Sequence, residues 1–296
     1  MLKNIIRALR LPFLSASILP FVFGSLVVRK QFNLPAFILG LLAAAFTHLS
    51  ANLINDYADS KSGVDWQDKR FFGSFGGSKL IQEKVLSEQF YLEAALLCAM
   101  IASLSVTLLA VVLKDASAIV LYLLVVFLSW QYSSGPLKFS YRMLGEVFIF
   151  LLFGPALVMG GYFIQSGIFP DLNSFLLSLP FGFFTLAILF ANEIPDFADD
   201  KKAHKHTWVN MLGPKNSFIL YYAIMLMGFL SVSMNIYRGY LAPLAALSFV
   251  FIVPAIKAMN ILRRHYEDKF KLVQSSRLTI MIQFLVSVIL ILGIKR

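Results

Sequence analysis

Apolar residues occupy this chain in long runs, and polar residues gather in the short stretches between them. Nine runs approach or reach the roughly 20 residues that cross a hydrocarbon core: 13–28, 35–55, 89–113, 116–132, 144–165, 173–193, 216–236, 240–260 and 275–294. Few of them alternate with period two, which argues for helices and against a transmembrane barrel. The pattern predicts an all-α integral membrane protein with nine transmembrane helices in a bundle, forming one polytopic domain over residues 1–296. The first 30 residues have the basic start and apolar core of a signal peptide. No small-residue cleavage site follows, so this segment reads as an uncleaved first helix.

One polar phrase interrupts the pattern twice. Residues 51–61 read ANLINDYADSK and residues 191–201 read ANEIPDFADDK, identical at seven of eleven positions at an offset of 140. Each copy ends a long apolar run, the second and the sixth. This places the two phrases equivalently in a four-plus-four arrangement, with pseudo-repeats about 10–135 and 142–262 and a final helix at 275–294. An even number of spans separates them, so the repeats are parallel.

Composition agrees: the chain is 58% hydrophobic and 14% charged, where a soluble protein carries about 25% charged residues. The single cysteine, Cys98, allows no intramolecular disulfide and makes a Cys-based metal site a poor expectation. If the N-terminus is cytoplasmic, 20 of the 26 Lys and Arg residues fall on the cytoplasmic side, the side that positive charge marks. The expectation is a multi-pass protein of the cell (inner) membrane, with its N-terminus and both acidic phrases cytoplasmic. The net charge of +10 then reports topology and attraction to anionic lipid rather than nucleic-acid binding.

Carboxylates at the end of a membrane helix are costly unless compensated, and so mark function. Asn52, Asn55, Asp56 and Asp59 fall at i, i+3, i+4 and i+7, one helix face, with His48 a turn earlier. In the second copy Asn192, Asp196 and Asp199 or Asp200 do the same, although Pro195 should disturb the helix there. Oxygen-only ligands suit hard cations, Mg²⁺ above all. Mg²⁺ takes one or two carboxylates and fills its other positions with water and substrate phosphates. Two clusters would hold two ions around one diphosphate. Lys61, Lys69, Arg70 and Lys79 in the first loop, and Lys201, Lys202 and Lys205 in the second, would complete its neutralisation. Gly73, Gly76 and Gly77 would let backbone amides approach phosphate oxygens. A diphosphate held beside a hydrophobic bundle implies a lipid tail, and an isoprenoid diphosphate fits. Its C–O bond would ionise to an allylic cation, which aromatic faces stabilise and an aromatic nucleophile attacks.

At these residues the chain resembles the UbiA-type intramembrane prenyltransferases. They carry an NDxxD-type motif after helix 2, here Asn55-Asp56-Tyr57-Ala58-Asp59 continuing to Asp65, and a DxxxD-type motif after helix 6, here Asp196-Phe197-Ala198-Asp199-Asp200. The phrases NDYADSKSGVD, GGSKLI, SSGPLKFSYRMLGE, FGPALVMGGYF and NEIPDFADDKKAHKHT are most similar to the menaquinone branch of that family, which prenylates 1,4-dihydroxy-2-naphthoate. The resemblance implies an all-helical bundle with a central cavity capped by two loops, and Mg-dependent transfer of a polyprenyl group to an aromatic acceptor. It implies metal ligands at Asn55, Asp56, Asp59, Asp65, Asp196, Asp199 and Asp200, with catalysis resting on Asp56, Asp59, Asp196 and Asp200. Substrate contacts would come from Asn52, Lys61, Arg70, Lys79, Lys138, Asn192, Lys201 and Lys205. The family's usual Gly-Lys-Arg-Thr-like stretch reads His204-Lys205-His206-Thr207 here, which leaves that turn's geometry open.

Other residues have plainer readings. His48 fits a core histidine better than a base. His204 and His206 sit in a polar, Lys-rich loop and make a poor metal pair. Glu193 either positions the acceptor or pairs with a lysine, Glu146 lies near a helix end, and Gly160-Gly161 allows close helix packing. Two functional alternatives stand beside dihydroxynaphthoate prenylation: another acceptor such as 4-hydroxybenzoate, or a secondary transporter, since intramembrane acids and repeats mark transporters too.

Overall fold

The computed structural model describes residues 2–28, 31–63, 66, 68 and 70–295. Asp65 and Lys69, two residues of the expected site, lie outside the described residues. Helices form the described fold: α1 Leu2–Ala8, α2 Ser15–Val27, α3 Leu34–Ser62, α4 Glu88–Leu113, α5 Ser117–Gln131, α6 Gly145–Leu151, α7 Leu157–Ser166, α8 Leu172–Lys202, α9 Trp208–Leu212, α10 Ser217–Tyr237, α11 Ile252–Arg264 and α12 Lys269–Leu292. A π-helical turn at Leu152–Ala156 joins α6 to α7, and a 3-10 stretch at Pro243–Phe251 leads into α11.

Each of the nine predicted runs coincides with a helix, but the span count differs. Among the described residues seven helices are long and apolar enough to cross a membrane, and α1 with α2, bent by 48°, makes an eighth if the pair is one span. The predicted fourth span, α5, has only 15 residues.

Local signals start and stop these helices as the sequence suggests. Asn33 caps α3 by accepting the Ala36 N–H at 3.1 Å, and Asp171 caps α8 by accepting the Ser174 N–H at 2.6 Å. Asp268 caps α12 by accepting from both Phe270 and Lys271. α3 stops at Gly63, whose φ of 82° suits glycine. Pro195 does not break α8, which runs through it to Lys202. Proline removes one donor to the preceding turn, and burial of Pro195 on the bundle interior holds the rest of the helix in place.

α3 packs on α4, α2 on α7, and α8 on α10 and α12. Gly161 and Gly24 set the α2–α7 crossing: a Cβ on Gly161 would meet the Phe21 carbonyl at 2.4 Å, and one on Gly24 the Val158 carbonyl at 2.0 Å. Gly160 meets nothing and faces the central cavity instead. The largest core surrounds α8 with Phe181, Phe184, Phe190, Tyr221 and Ile282. Outer faces expose Met100, Val111, Val120 and Leu230, as lipid-facing surfaces do.

Helix length positions the acids. α3 has 29 residues and α8 has 31, so they extend for about 43 and 46 Å at 1.5 Å per residue. A hydrocarbon core of about 30 Å uses about 20 of those residues. Counted from each N-terminus, Asp56, Asp59, Asp196, Asp199 and Asp200 stand just beyond that depth. Asn52, Asn192 and Glu193 stand at its boundary.

Candidate active site

The C-terminal turns of α3 and α8 open on one central cavity of about 620 Å³, within the range of small-molecule sites. Its deep wall is apolar, with Phe21, Ala43, Val106, Leu109, Leu121 and Ile164. Its mouth is polar, with Asn52, Asn55, Asp59, Asn192, Asp196, Asp199, Asp200 and Lys205. Asn52, Asn55 and Asp59 of the first predicted face and Asn192, Asp196, Asp199 and Asp200 of the second therefore converge on one space, whereas Asp56 is buried beside it and does not line it.

Each acid of the two clusters is met by a cation or a donor. Asp56 is buried and pairs with the Arg10 guanidinium, and its other oxygen accepts the Ser78 N–H at 3.2 Å. Asp59 accepts from the Tyr141 hydroxyl at 3.3 Å. Asp196 accepts the Gly76 N–H at 3.1 Å. Lys269, the first residue of α12, bridges Asp199 at 2.8 Å and Asp68 at 3.1 Å. Lys205 lies 3.5 Å from Asp200. The Asn55 amide donates to Ser133.

The glycine-rich loop 71–78 thus touches both halves, with Ser78 on Asp56 and Gly76 on Asp196. Gly73, Gly76 and Gly77 all take positive φ, 83°, 71° and 71°, conformations that other residues adopt only under strain. The turn after α8 keeps a glycine-like shape without glycine, since His204 adopts φ 55°.

Charge is balanced locally. Burial opposes the Lys205 ammonium, but the Asp200 and Asp59 carboxylates more than offset it and raise its pKa well above the ordinary lysine value. Hydrogen bonds from Arg70, and then from Lys269, hold Asp68 well below the usual carboxylate range. Burial and the nearby Asp59 carboxylate raise the Tyr141 phenol, so it remains the protonated donor to Asp59. Among the described residues no three His, Cys, Asp or Glu side chains form a ready-made metal site.

The expected lysines and arginine divide. Lys205 lines the cavity with Asn52 and Asn192. Lys61 is exposed and pairs with Glu88. Arg70 pairs with Asp68 and lies over the Phe72 and Phe270 rings, each at 5.3 Å. Lys138 and Lys201 are exposed, over Tyr141 at 5.3 Å and Phe197 at 5.9 Å. Lys79 is buried behind the loop with φ 59°. None of these five lines the cavity. His204 and His206 are exposed and do not line it, although Lys205 between them does. Sequence reasoning missed Arg10, Asp68, Ser78, Tyr132, Tyr141 and Lys269. Arg10 and Lys269 read only as topology charges, and no spacing ties either to its acid.

Five residues that line the cavity each carry a buried polar atom with no partner among the described residues: His48 Nε2, Asn52 Nδ2, Thr185 Oγ1, Asn192 Oδ1 and Glu193 Oε2. His48 is half satisfied, its Nδ1 lying 2.5 Å from the Ser17 hydroxyl. Unpaired buried polar groups cost free energy, and here they gather in residues around one cavity.

A sequence profile of the UbiA prenyltransferase family matches residues 17–281. The chain is 25% identical over 253 residues to a 1,4-dihydroxy-2-naphthoate octaprenyltransferase of Bacillus subtilis, covering 83% of this chain and 78% of the relative. Matched animal relatives, each a UbiA prenyltransferase domain-containing protein 1 or its homolog, are longer, and the chain spans 61% to 66% of their length. Its fold is similar to that of a UbiA homolog from Aeropyrum pernix, with a TM-score of 0.72 and 18% identity over 94% of this chain and 97% of that one. It is also similar to a UbiA homolog from Archaeoglobus fulgidus bound to GPP and Mg²⁺, with a TM-score of 0.61 and 15% identity over 96% and 99% of the two chains.

Proposed function

The chain belongs to the UbiA prenyltransferase family, and from that premise we propose that it transfers a polyprenyl group from a polyprenyl diphosphate to 1,4-dihydroxy-2-naphthoate in menaquinone biosynthesis. The observation that carries the reading is the loop 71–78 hydrogen-bonded to both acidic clusters across the mouth of a cavity with an apolar interior. Such a site takes a charged head at the mouth and a lipid tail inside. The acceptor follows from the naphthoate-prenylating relative and the five phrases shared with that branch. A transporter would place its acids near the midplane, whereas these stand at the helix ends.

The donor set fits Mg²⁺. It offers carboxylate and amide oxygens only, and a site short of three converging acids suits an ion that draws its remaining ligands from water and diphosphate. Asn55, Asp56, Asp59, Asp196, Asp199 and Asp200 would hold it, with Asp65. When bound, Mg²⁺ supplies neutralisation of the departing diphosphate. Lys205 binds diphosphate oxygens at the mouth, and the Gly76 and Ser78 N–H groups hold Asp196 and Asp56 in place around it. The prenyl C–O bond ionises with both electrons leaving on the diphosphate. Phe153 and Tyr132, which line the cavity, offer ring faces to the allylic cation.

The same reading makes α5 a ninth, thinned span and the chain two parallel pseudo-repeats, about 10–135 and 142–262, plus a last helix. It orients the N-terminus and the mouth toward the cytoplasm, in the cell (inner) membrane, on the 20-to-6 division of basic residues. The test is an acceptor panel with one long-chain polyprenyl diphosphate and protein purified into liposomes. Prenylation of dihydroxynaphthoate well above 4-hydroxybenzoate is expected. Preference for 4-hydroxybenzoate would overturn the acceptor assignment, and no transfer to any aromatic would overturn the reading.

A further inference from the structure

Lys257 is a charged residue on the outer, lipid-facing side of a span. It belongs to α11, whose last residue, Arg264, stands near the level of the mouth, since only the turn 265–268 separates it from Lys269 on Asp199. Lys257 precedes Arg264 by two helical turns and so begins about 10 Å deeper, at 1.5 Å per residue. Charged side chains at such a depth ordinarily face a bundle interior or a water-filled cavity. This one faces outward. α11 buries Ala255, Ala258 and Leu262 against the bundle, whereas Val253 is 73% and Ile256 43% exposed and Lys257 is exposed beside them. Membrane topology calls for basic residues in cytoplasmic loops, which covers Arg264 but not a lysine within the apolar stretch Pro243–Arg264.

Three polar side chains share this outer face. Lys257, Asn260 and Arg264 follow at i, i+3 and i+7. They line an open groove of about 330 Å³, with Val253 and Ile256 at its deep end and His265 at its outer end. Among the described residues none of the three side chains has a hydrogen-bond or ion-pair partner, and no carboxylate lines the groove. The neighbouring charges are engaged elsewhere. Arg263 lies over the Phe218 ring at 5.6 Å. Asp268 caps α12 and lies 3.7 Å from Lys271, whose Nζ is also 3.5 Å from His265 Nδ1. Glu267 is exposed in the following turn and stays outside the groove. Two cations and an amide are thus left side by side where hydrocarbon meets water.

We propose that this face of α11 binds one anionic phospholipid of the surrounding bilayer. Arg264, the Asn260 amide and Lys257 hold its phosphodiester, and one acyl chain lies along Val253 and Ile256. Charge complementarity selects the occupant, since the groove brings cations without a counter-ion to headgroup level and apolar side chains directly below them. Lys257 runs its apolar stem up the groove and ends at the phosphate instead of in hydrocarbon. The Arg264 guanidinium takes two phosphate oxygens side by side, while the lysine ammonium acts as a point charge. A zwitterionic lipid brings its own ammonium to the same place and gains less. A soluble phosphate has no chain for the apolar end.

The test is native mass spectrometry of the full chain in detergent, titrated with phosphatidylglycerol or phosphatidylcholine of the same acyl chains, beside thermal melting in vesicles of each lipid. The wild type is expected to retain one phosphatidylglycerol far more tightly than phosphatidylcholine and to melt a few degrees higher in phosphatidylglycerol. Lys257→Gln combined with Arg264→Gln lowers the phosphatidylglycerol affinity about tenfold or more and abolishes the difference in melting. Asn260→Leu, which leaves the charge unchanged, lowers that affinity severalfold. Lys84→Gln combined with Lys215→Gln removes the same charge from exposed positions on the mouth side and keeps the wild-type affinity. All of these variants melt with the wild type in phosphatidylcholine. Equal weakening by the two double variants would reduce the effect to general surface attraction and overturn the proposal. So would equal binding of the two lipids, displacement of phosphatidylglycerol by soluble glycerophosphate at equal affinity, or a dimer of the wild type that the Lys257 and Arg264 substitutions dissolve, which would give this face to a second copy of the chain.

Discussion

The backbone N–H of Gly76 donates to the Asp196 carboxylate at 3.1 Å, tying the loop after the first acidic phrase to the helix that carries the second. Two residues further on, the Ser78 N–H holds Asp56 at 3.2 Å. One short loop thereby fixes the distance between the two clusters. Its shape depends on glycines at positive φ rather than on contacts, since a Cβ at Gly76 would meet only ordinary contacts at 3.4 Å and beyond.

Gly76→Ala should therefore disturb function more than stability. The left-handed conformation costs a non-glycine residue about 1–2 kcal/mol. That cost is met by relaxing the Gly76 φ, which breaks the bond to Asp196. The KM for polyprenyl diphosphate should rise severalfold while the melting temperature falls by only a few degrees. An unchanged KM would separate the loop from diphosphate binding.

Lys269 stands between Asp199 and Asp68 and offsets charge that a cation would otherwise offset. Lys269→Met leaves both acids without it. The variant should melt several degrees below the wild type in chelator and recover most of that difference in millimolar Mg²⁺. Equal melting shifts on adding Mg²⁺ to both proteins would rule out a cation site at these acids.

Lys205 sets a pH dependence whose sign follows from its raised pKa. A raised value means that the stability it contributes is complete below the ordinary lysine pKa of about 10.4. That stability is lost only as pH rises through the higher folded value. Lys205→Met should then be less stable than the wild type by a constant margin from pH 7 to 10. A margin that shrinks between pH 7 and 9 would contradict the charge pairing with Asp200 and Asp59.

Much of this was legible in the sequence because the membrane imposes long apolar runs and a helical period. The nine runs coincide with helices, and the face of Asn52, Asn55, Asp56 and Asp59 follows from i, i+3, i+4, i+7 spacing alone. The partners were not legible. Arg10 reaches Asp56 across 46 positions and Lys269 reaches Asp199 across 70, and no local pattern encodes such pairs. Cytoplasmic loops are rich in lysine for topological reasons, so Lys61, Lys138 and Lys201 could not be told from Lys205 before the fold turned only Lys205 inward. Pro195 misled because its helix-breaking effect is a local cost that packing around α8 outweighs. The π-turn at Leu152–Ala156 contains Pro155, which explains why one predicted span resolves into α6 and α7.

The central claim is that the two acidic phrases act as one diphosphate site, and diphosphate release tests it most directly. Purified protein in liposomes is given polyprenyl diphosphate and dihydroxynaphthoate, with and without Mg²⁺, and released diphosphate is measured with prenylated product. The account predicts Mg²⁺-dependent release coupled to prenylation in the wild type. Asp56→Ala and Asp196→Ala should each reduce it by about 10²–10³-fold, the scale of losing one electrostatic stabiliser. Full activity in both variants, or release that needs no divalent metal, would contradict it.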